Sequence, residues 1–131
     1  MDEFQQMLST KYPIFKPNDD FCWGICMGYG WYPLLIELAE YLKSLGIKDS
    51  EVQIYDIKEK CFKLNIGVIF PMLPDNHIAY EFVNYLEARS PFICERCGEF
   101  SGTEKQHVCD PEKTTEEYQK AKLIELLEKS A

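Results

Sequence analysis

Apolar and polar positions along this chain alternate between helical spacing and the two-residue spacing of strands. Phe4, Met7 and Leu8 lie at helical spacing and predict a short helix over about 3–10. The prolines of Tyr12-Pro13-Ile14-Phe15-Lys16-Pro17 push their predecessors out of the helical region, so an extended arm is expected to follow, closing residues 1–20 with the turn Asn18-Asp19-Asp20. Leu34, Leu35, Leu38, Ala39, Leu42 and Leu45 form one broad apolar face that opens beside Pro33 and stops at Gly46. Proline in a first turn and glycine beyond a last turn are favoured helix ends, which predicts a helix over about 32–45.

The period then shortens. Val52, Ile54 and Ile57 suggest a strand whose apolar phase slips once, as a bulge would make it, and Phe62, Leu64, Ile66, Val68 and Phe70 alternate cleanly. With Lys58-Glu59-Lys60-Cys61 between them, the two runs predict an antiparallel hairpin that Pro71 and Pro74 end. Ile78, Ala79, Phe82, Val83 and Leu86 predict a further helix, capped by Asp75 or Asn76 and ending near Arg89. Thr114 and Glu117 stand at capping-box spacing before the apolar positions of a last helix, 114–129. The expected fold is α+β: a small antiparallel sheet or hairpin, about four helices and a metal-bearing loop, in one domain over 1–131.

Composition sharpens this picture in three ways. A chain of 131 residues that is 46% hydrophobic can bury one core of its own. No apolar run approaches the roughly 18–20 residues that span a bilayer, and Met1-Asp2-Glu3-Phe4 does not read as a secretory leader, so a cytoplasmic protein without a membrane partner is expected. The net charge of −8 repels phosphate backbones and favours a protein partner over nucleic acid.

In a reducing compartment the six cysteines point to metal binding or burial rather than to disulfides. Cys94-Glu95-Arg96-Cys97-Gly98 has the two-residue gap that sets two thiolates on one ion, with a glycine for the positive φ of the turn. His107 and Cys109 follow within reach, which predicts a zinc knuckle over 92–112 held by Cys94, Cys97, His107 and Cys109, with Asp110 or Glu112 as alternatives for the fourth ligand. Such a closed site is structural: it leaves no open position for catalysis. Cys22 and Cys26, beside Trp23 and Ile25, are expected in the core, Cys61 in a turn and His77 on the surface. Two histidines, one of them a metal ligand, leave no Cys/His or Ser/His/Asp constellation, so a non-enzymatic role is expected. Trp23, Tyr29, Trp31 and Tyr32 gather around glycines and form either an exposed recognition patch or the lid of the core.

In this order Tyr12-Pro13, Gly28-Tyr29-Gly30-Trp31, Lys58-Glu59-Lys60, Leu64, Ile93-Cys94-Glu95-Arg96-Cys97-Gly98 and Cys109-Asp110 resemble a group of small uncharacterised proteins of bacteriophages and prophages. Those proteins share a Tyr-Pro segment, a Gly-Asp-Gly-Trp turn, a Lys-Glu-Lys-Phe-Gly hairpin and a Cys-x-x-Cys-Gly knuckle. Tyr29, Cys61-Phe62 and Asn65 depart from the pattern, and Glu112 stands where the group has its later histidine. The resemblance implies a fold and a phage-like origin rather than a mechanism. Together with the acidic charge, the missing catalytic constellation and the aromatic group, it leads to the expectation of a phage-type accessory protein that binds a host protein and inhibits host defence. Two other readings stay open: a nucleic-acid or regulatory module using the knuckle with Lys58, Lys60 and Lys63, and a protein that sequesters a small nucleotide signal.

Overall fold

The computed structural model describes residues 2–100 and 108–130. Their fold is α+β. Helix α1 spans Glu3–Lys11, β1 Ile25–Cys26, α2 Tyr32–Ser44, β2 Gln53–Lys60, β3 Lys63–Ile69, α3 Ile78–Arg89 and α4 Glu116–Lys129. The sheet order is β1-β2-β3, with β2 and β3 antiparallel and β1 parallel to β2, where Ile25 stands opposite Ile57. The sheet is therefore mixed, because a two-residue edge strand too short to announce itself in the sequence joins the expected hairpin. The phase slip in β2 is a bulge at Tyr55: Ile54 pairs with Val68, yet Asp56 pairs with Gly67.

At the hairpin tip the turn residues are Cys61 and Phe62, with φ of 53° and 64°, and Lys60 pairs with Lys63 across them. Two consecutive left-handed residues match the twist of a tight hairpin, but the conformation favours Asn and Gly over the residues found here. The carboxylate of Glu59 accepts from Phe62 N at 2.8 Å and offsets part of that strain.

Helix α3 lies along the outer edge of β3 and satisfies it. Leu64 N donates to Ser90 Oγ at 2.8 Å, Ile66 N to Glu87 Oε2 at 2.8 Å and Phe70 N to the Tyr80 hydroxyl at 2.9 Å. Side chains thus occupy backbone donors that an open edge would offer to another chain. Helix α4 packs against both α1 and α2, and Lys11 of α1 caps the last carbonyls of α4, bonding Leu127 O and, at 2.7 Å, Ser130 O. Tyr12 hydroxyl bonds Glu40 at 2.6 Å, and burial followed by that carboxylate pushes its pKa up to about 12.

Several local expectations need correction. Residues 13–15 form a 3-10 turn that buries Phe15 completely, rather than an extended arm, and the buried Gln5 amide ties Phe15 O to Ile25 N. His77, not Asp75 or Asn76, caps α3, its Nδ1 accepting from Ala79 N at 3.0 Å. Thr115, one residue beyond Thr114, caps α4, since Thr114 ends a 3-10 turn over Pro111–Thr114. Cys22 and Cys26 are exposed: burial falls on Phe21, Gly24 and Ile25, and the two cysteines and Trp23 face outward. The helix over 32–45 and the cleanly alternating strand lie where periodicity put them.

Candidate metal centre

Residues 93–100 fold back on themselves. Ile93 bridges Phe100 antiparallel, Cys94 N donates to Glu99 O at 2.9 Å, and Gly98 N donates to Cys94 O at 2.8 Å. Gly98 takes φ of +83°, which is the reason a glycine follows the second cysteine. This turn carries the Cys94 and Cys97 thiols to one point. Cys109 reaches the same point from the irregular segment before the Pro111–Thr114 turn: the three sulfurs all lie within 4.8 Å of one another, and Cys94 Sγ is 3.4 Å from Cys109 Sγ. Thiolates around a tetrahedral zinc would stand about 3.8 Å apart for bonds of about 2.3 Å, so the spacing suits one shared ion.

The electrostatics of the cluster fit a soft cation. Burial raises the affinity of the Cys94 thiol for its proton, but backbone N–H groups of Cys97 and Arg96, with the neighbouring thiols, outweigh it and bring its pKa below the usual range. Burial pushes Cys97 up to about 12 and raises Cys109 as well, with the crowding of sulfur on sulfur adding to both. A bound cation would lower the proton affinity of all three thiols and deprotonate the set. Three thiols so placed can hold one metal ion.

The surroundings of the knuckle come from the far end of the sequence. Gly30 N donates to Glu95 O at 2.6 Å, Gly28 N to Glu95 Oε2 at 2.8 Å, and the Trp31 indole to Ser90 O at 3.2 Å and Ile93 O at 2.9 Å. A Cβ on Gly30 would lie 2.0 Å from Cys94 O, and one on Gly28 2.5 Å from Glu95 O. The Gly-x-Gly-Trp turn is therefore a cradle for the Cys94-Glu95 backbone, and its glycines are there because backbone passes over backbone. On the other flank Lys113 pairs with Glu99, and Gln119 of α4 donates to Arg96 O at 2.7 Å.

No protein-family model matches this chain, no curated protein matches it and no solved structure matches it.

Of the remaining predicted site residues, His107 lies outside the described residues. Asp110 and Glu112 do not join the cysteines: Asp110 Oδ1 accepts from Glu112 N at 3.0 Å and so caps the turn that follows. The four-ring recognition patch does not exist as such. Trp31 and Tyr32 are 2% exposed and Tyr29 is 8%: the Trp31 indole is held by Ser90 O and Ile93 O, whereas the Tyr29 and Tyr32 rings pack on Phe4 of α1 at 6.2 and 6.1 Å, and of the four only Trp23 stands in solvent, at 88%. Sequence reasoning missed the partnership of Gly28, Gly30 and Trp31 with Cys94 and Glu95. Its one sequence signal was the pair of glycines flanking Tyr29, which no turn type required.

Proposed function

We propose that Cys94, Cys97 and Cys109, with His107 as fourth ligand, hold a structural zinc ion, and that the protein is a non-catalytic accessory protein of phage or prophage type that binds a host protein in the host cytoplasm. The convergence of three thiols on a hairpin built into the fold carries the zinc reading, since soft sulfur donors at tetrahedral spacing favour zinc among common ions. A closed set of four protein ligands has no vacant position for a substrate or water, which favours a structural role over a catalytic one.

Protein binding draws its support from the outer surface of the knuckle. Phe100 and Val108, which lie between Cys97 and Cys109 in the chain, are 78% and 88% exposed, on a protein whose net charge of −8 discourages polyanions. Inhibition of a host defence system is the role this reading assigns. A second reading rests on the hairpin tip, where Lys60 and Lys63 flank the half-exposed Phe62 and Lys58 is engaged by Asp56 at 3.0 Å. Affinity capture from host extract, with wild type beside Phe100→Asp and Lys58→Ala/Lys60→Ala/Lys63→Ala variants, separates them. The proposed function expects a nuclease-resistant protein partner that the Phe100 variant loses; a nuclease-sensitive, salt-sensitive catch lost only by the lysine variant would overturn it.

A further inference from the structure

The geometry points to the Cys94–Cys109 pair as an oxidation site: a peroxide-class oxidant joins these two sulfurs in a disulfide and expels the metal ion while Cys97 stays reduced. Three observations support this pair, and the burial of Cys97 is the one that sets it apart from the other two pairings. The two sulfurs are 3.4 Å apart, so closure to a bond needs a movement of little more than an ångström and no change of fold. Both residues are partly exposed and open to a small oxidant, whereas Cys97 is 7% exposed, held under the turn that Gly98 makes against Gly30. And the two belong to separate segments, one in the hairpin of residues 93–100 and the other just before the Pro111–Thr114 turn, so their bond closes the same loop that the ion closes.

The chemistry balances without a further reactant. One thiolate attacks a peroxide oxygen, the O–O bond breaks, and a sulfenic acid forms with loss of one hydroxide. The second thiolate attacks that sulfur, the S–S bond forms, and a second hydroxide leaves. Two thiolates supply the two electrons that reduce the peroxide, and both metal–sulfur bonds are lost with them. The remaining ligands are too few to keep the ion, while the new S–S bond keeps Cys94 and Cys109 joined. Oxidation thereby exchanges a metal staple for a covalent one and changes the surface proposed above for partner binding.

The metal-release half of this inference rests on the zinc reading; the disulfide half does not. The test uses the full chain with Cys22→Ser, Cys26→Ser and Cys61→Ser, which removes the exposed thiols outside the cluster. Metal content is measured first, hydrogen peroxide is added to the native protein, and released ion is followed with a chromogenic chelator. Trypsin then places the three cysteines on three peptides, 90–96, 97–105 and 106–113, because Arg96 separates Cys94 from Cys97. The expected result is peptide 90–96 linked to 106–113, about one ion released per disulfide, and reversal by a thiol reductant and added zinc. A dominant bond to peptide 97–105, or Cys94 driven to sulfinic acid with no disulfide, overturns the inference. Protein that carries no metal yet forms the 94–109 bond would sink the zinc reading and leave the oxidation site standing. If the triple variant fails to fold, the same peptide mapping on wild-type protein decides.

Discussion

Replacing Gly30 with alanine is the sharpest perturbation of the junction between the glycine turn and the knuckle. The new Cβ would sit 2.0 Å from Cys94 O and 2.6 Å from both the carbonyl carbon and oxygen of Glu95, all backbone atoms that have no rotamer by which to move aside. The two segments must separate by more than an ångström, which breaks the 2.6 Å bond from Gly30 N to Glu95 O and pulls on the indole bonds of Trp31. Overpacking costs about 1–3 kcal/mol, and a buried carbonyl left without its donor about 1–3 kcal/mol. A loss of about 3 kcal/mol is expected for Gly30→Ala, read as the urea midpoint of metal-loaded protein with unchanged slope. Gly46→Ala is the control: nothing lies within 4 Å of its Cβ, but φ is +74°, so the cost is about 1 kcal/mol of backbone strain alone. A Gly30→Ala variant no less stable than Gly46→Ala would refute the claim that the turn and the knuckle are one packed unit.

Ser90→Ala removes the acceptor for Leu64 N in a fully buried position, so about 2 kcal/mol is lost and amide exchange at Leu64 speeds up ahead of its neighbours in β3; unchanged protection there would contradict the edge-capping role of α3. Phe62→Gly relieves a left-handed residue that is already more than half exposed, and thermal unfolding should rise, by about 1 kcal/mol in stability; a fall would mean that the ring contributes more than the strain costs. Metal affinity should climb with pH, because binding must expel the protons that burial holds on Cys97, whose pKa is near 12, and on Cys109, whose pKa is raised. Each such proton is worth roughly tenfold in affinity per pH unit, so chelator competition at pH 6 and pH 8 should differ by several orders of magnitude, with weaker binding in acid; a flat profile would show that these thiols do not ligate.

How far the sequence spoke depended on how local each cause was. The helix over 32–45 was legible because its ends and its apolar face are properties of the residues themselves: Pro33, Gly46 and the leucines between them. The bulge at Tyr55 was visible as a slipped phase. The Cys94/Cys97/Cys109 cluster was also legible, since metal ligands advertise themselves by residue type and spacing, and the carboxylates of Asp110 and Glu112 dropped out only once their backbone partners were known. What stayed hidden was long-range. Two residues of β1 carry no period, the indole of Trp31 is held by Ile93, 62 positions later, and the Tyr29 and Tyr32 rings are covered by Phe4 of α1. The exposure of Cys22 and Cys26 turned on which of two adjacent apolar residues faces the core, a choice that composition does not make.

The claim on which the rest depends is that the Cys94, Cys97 and Cys109 sulfurs hold an ion. Elemental analysis and native mass spectrometry of protein purified without added metal, alongside Cys97→Ser, test it most directly. About one zinc per wild-type chain is expected, absent from the variant, together with loss of cooperative unfolding for the C-terminal third. Wild-type protein that is folded, fully reduced and free of metal, and that takes up none when zinc is supplied, would contradict it.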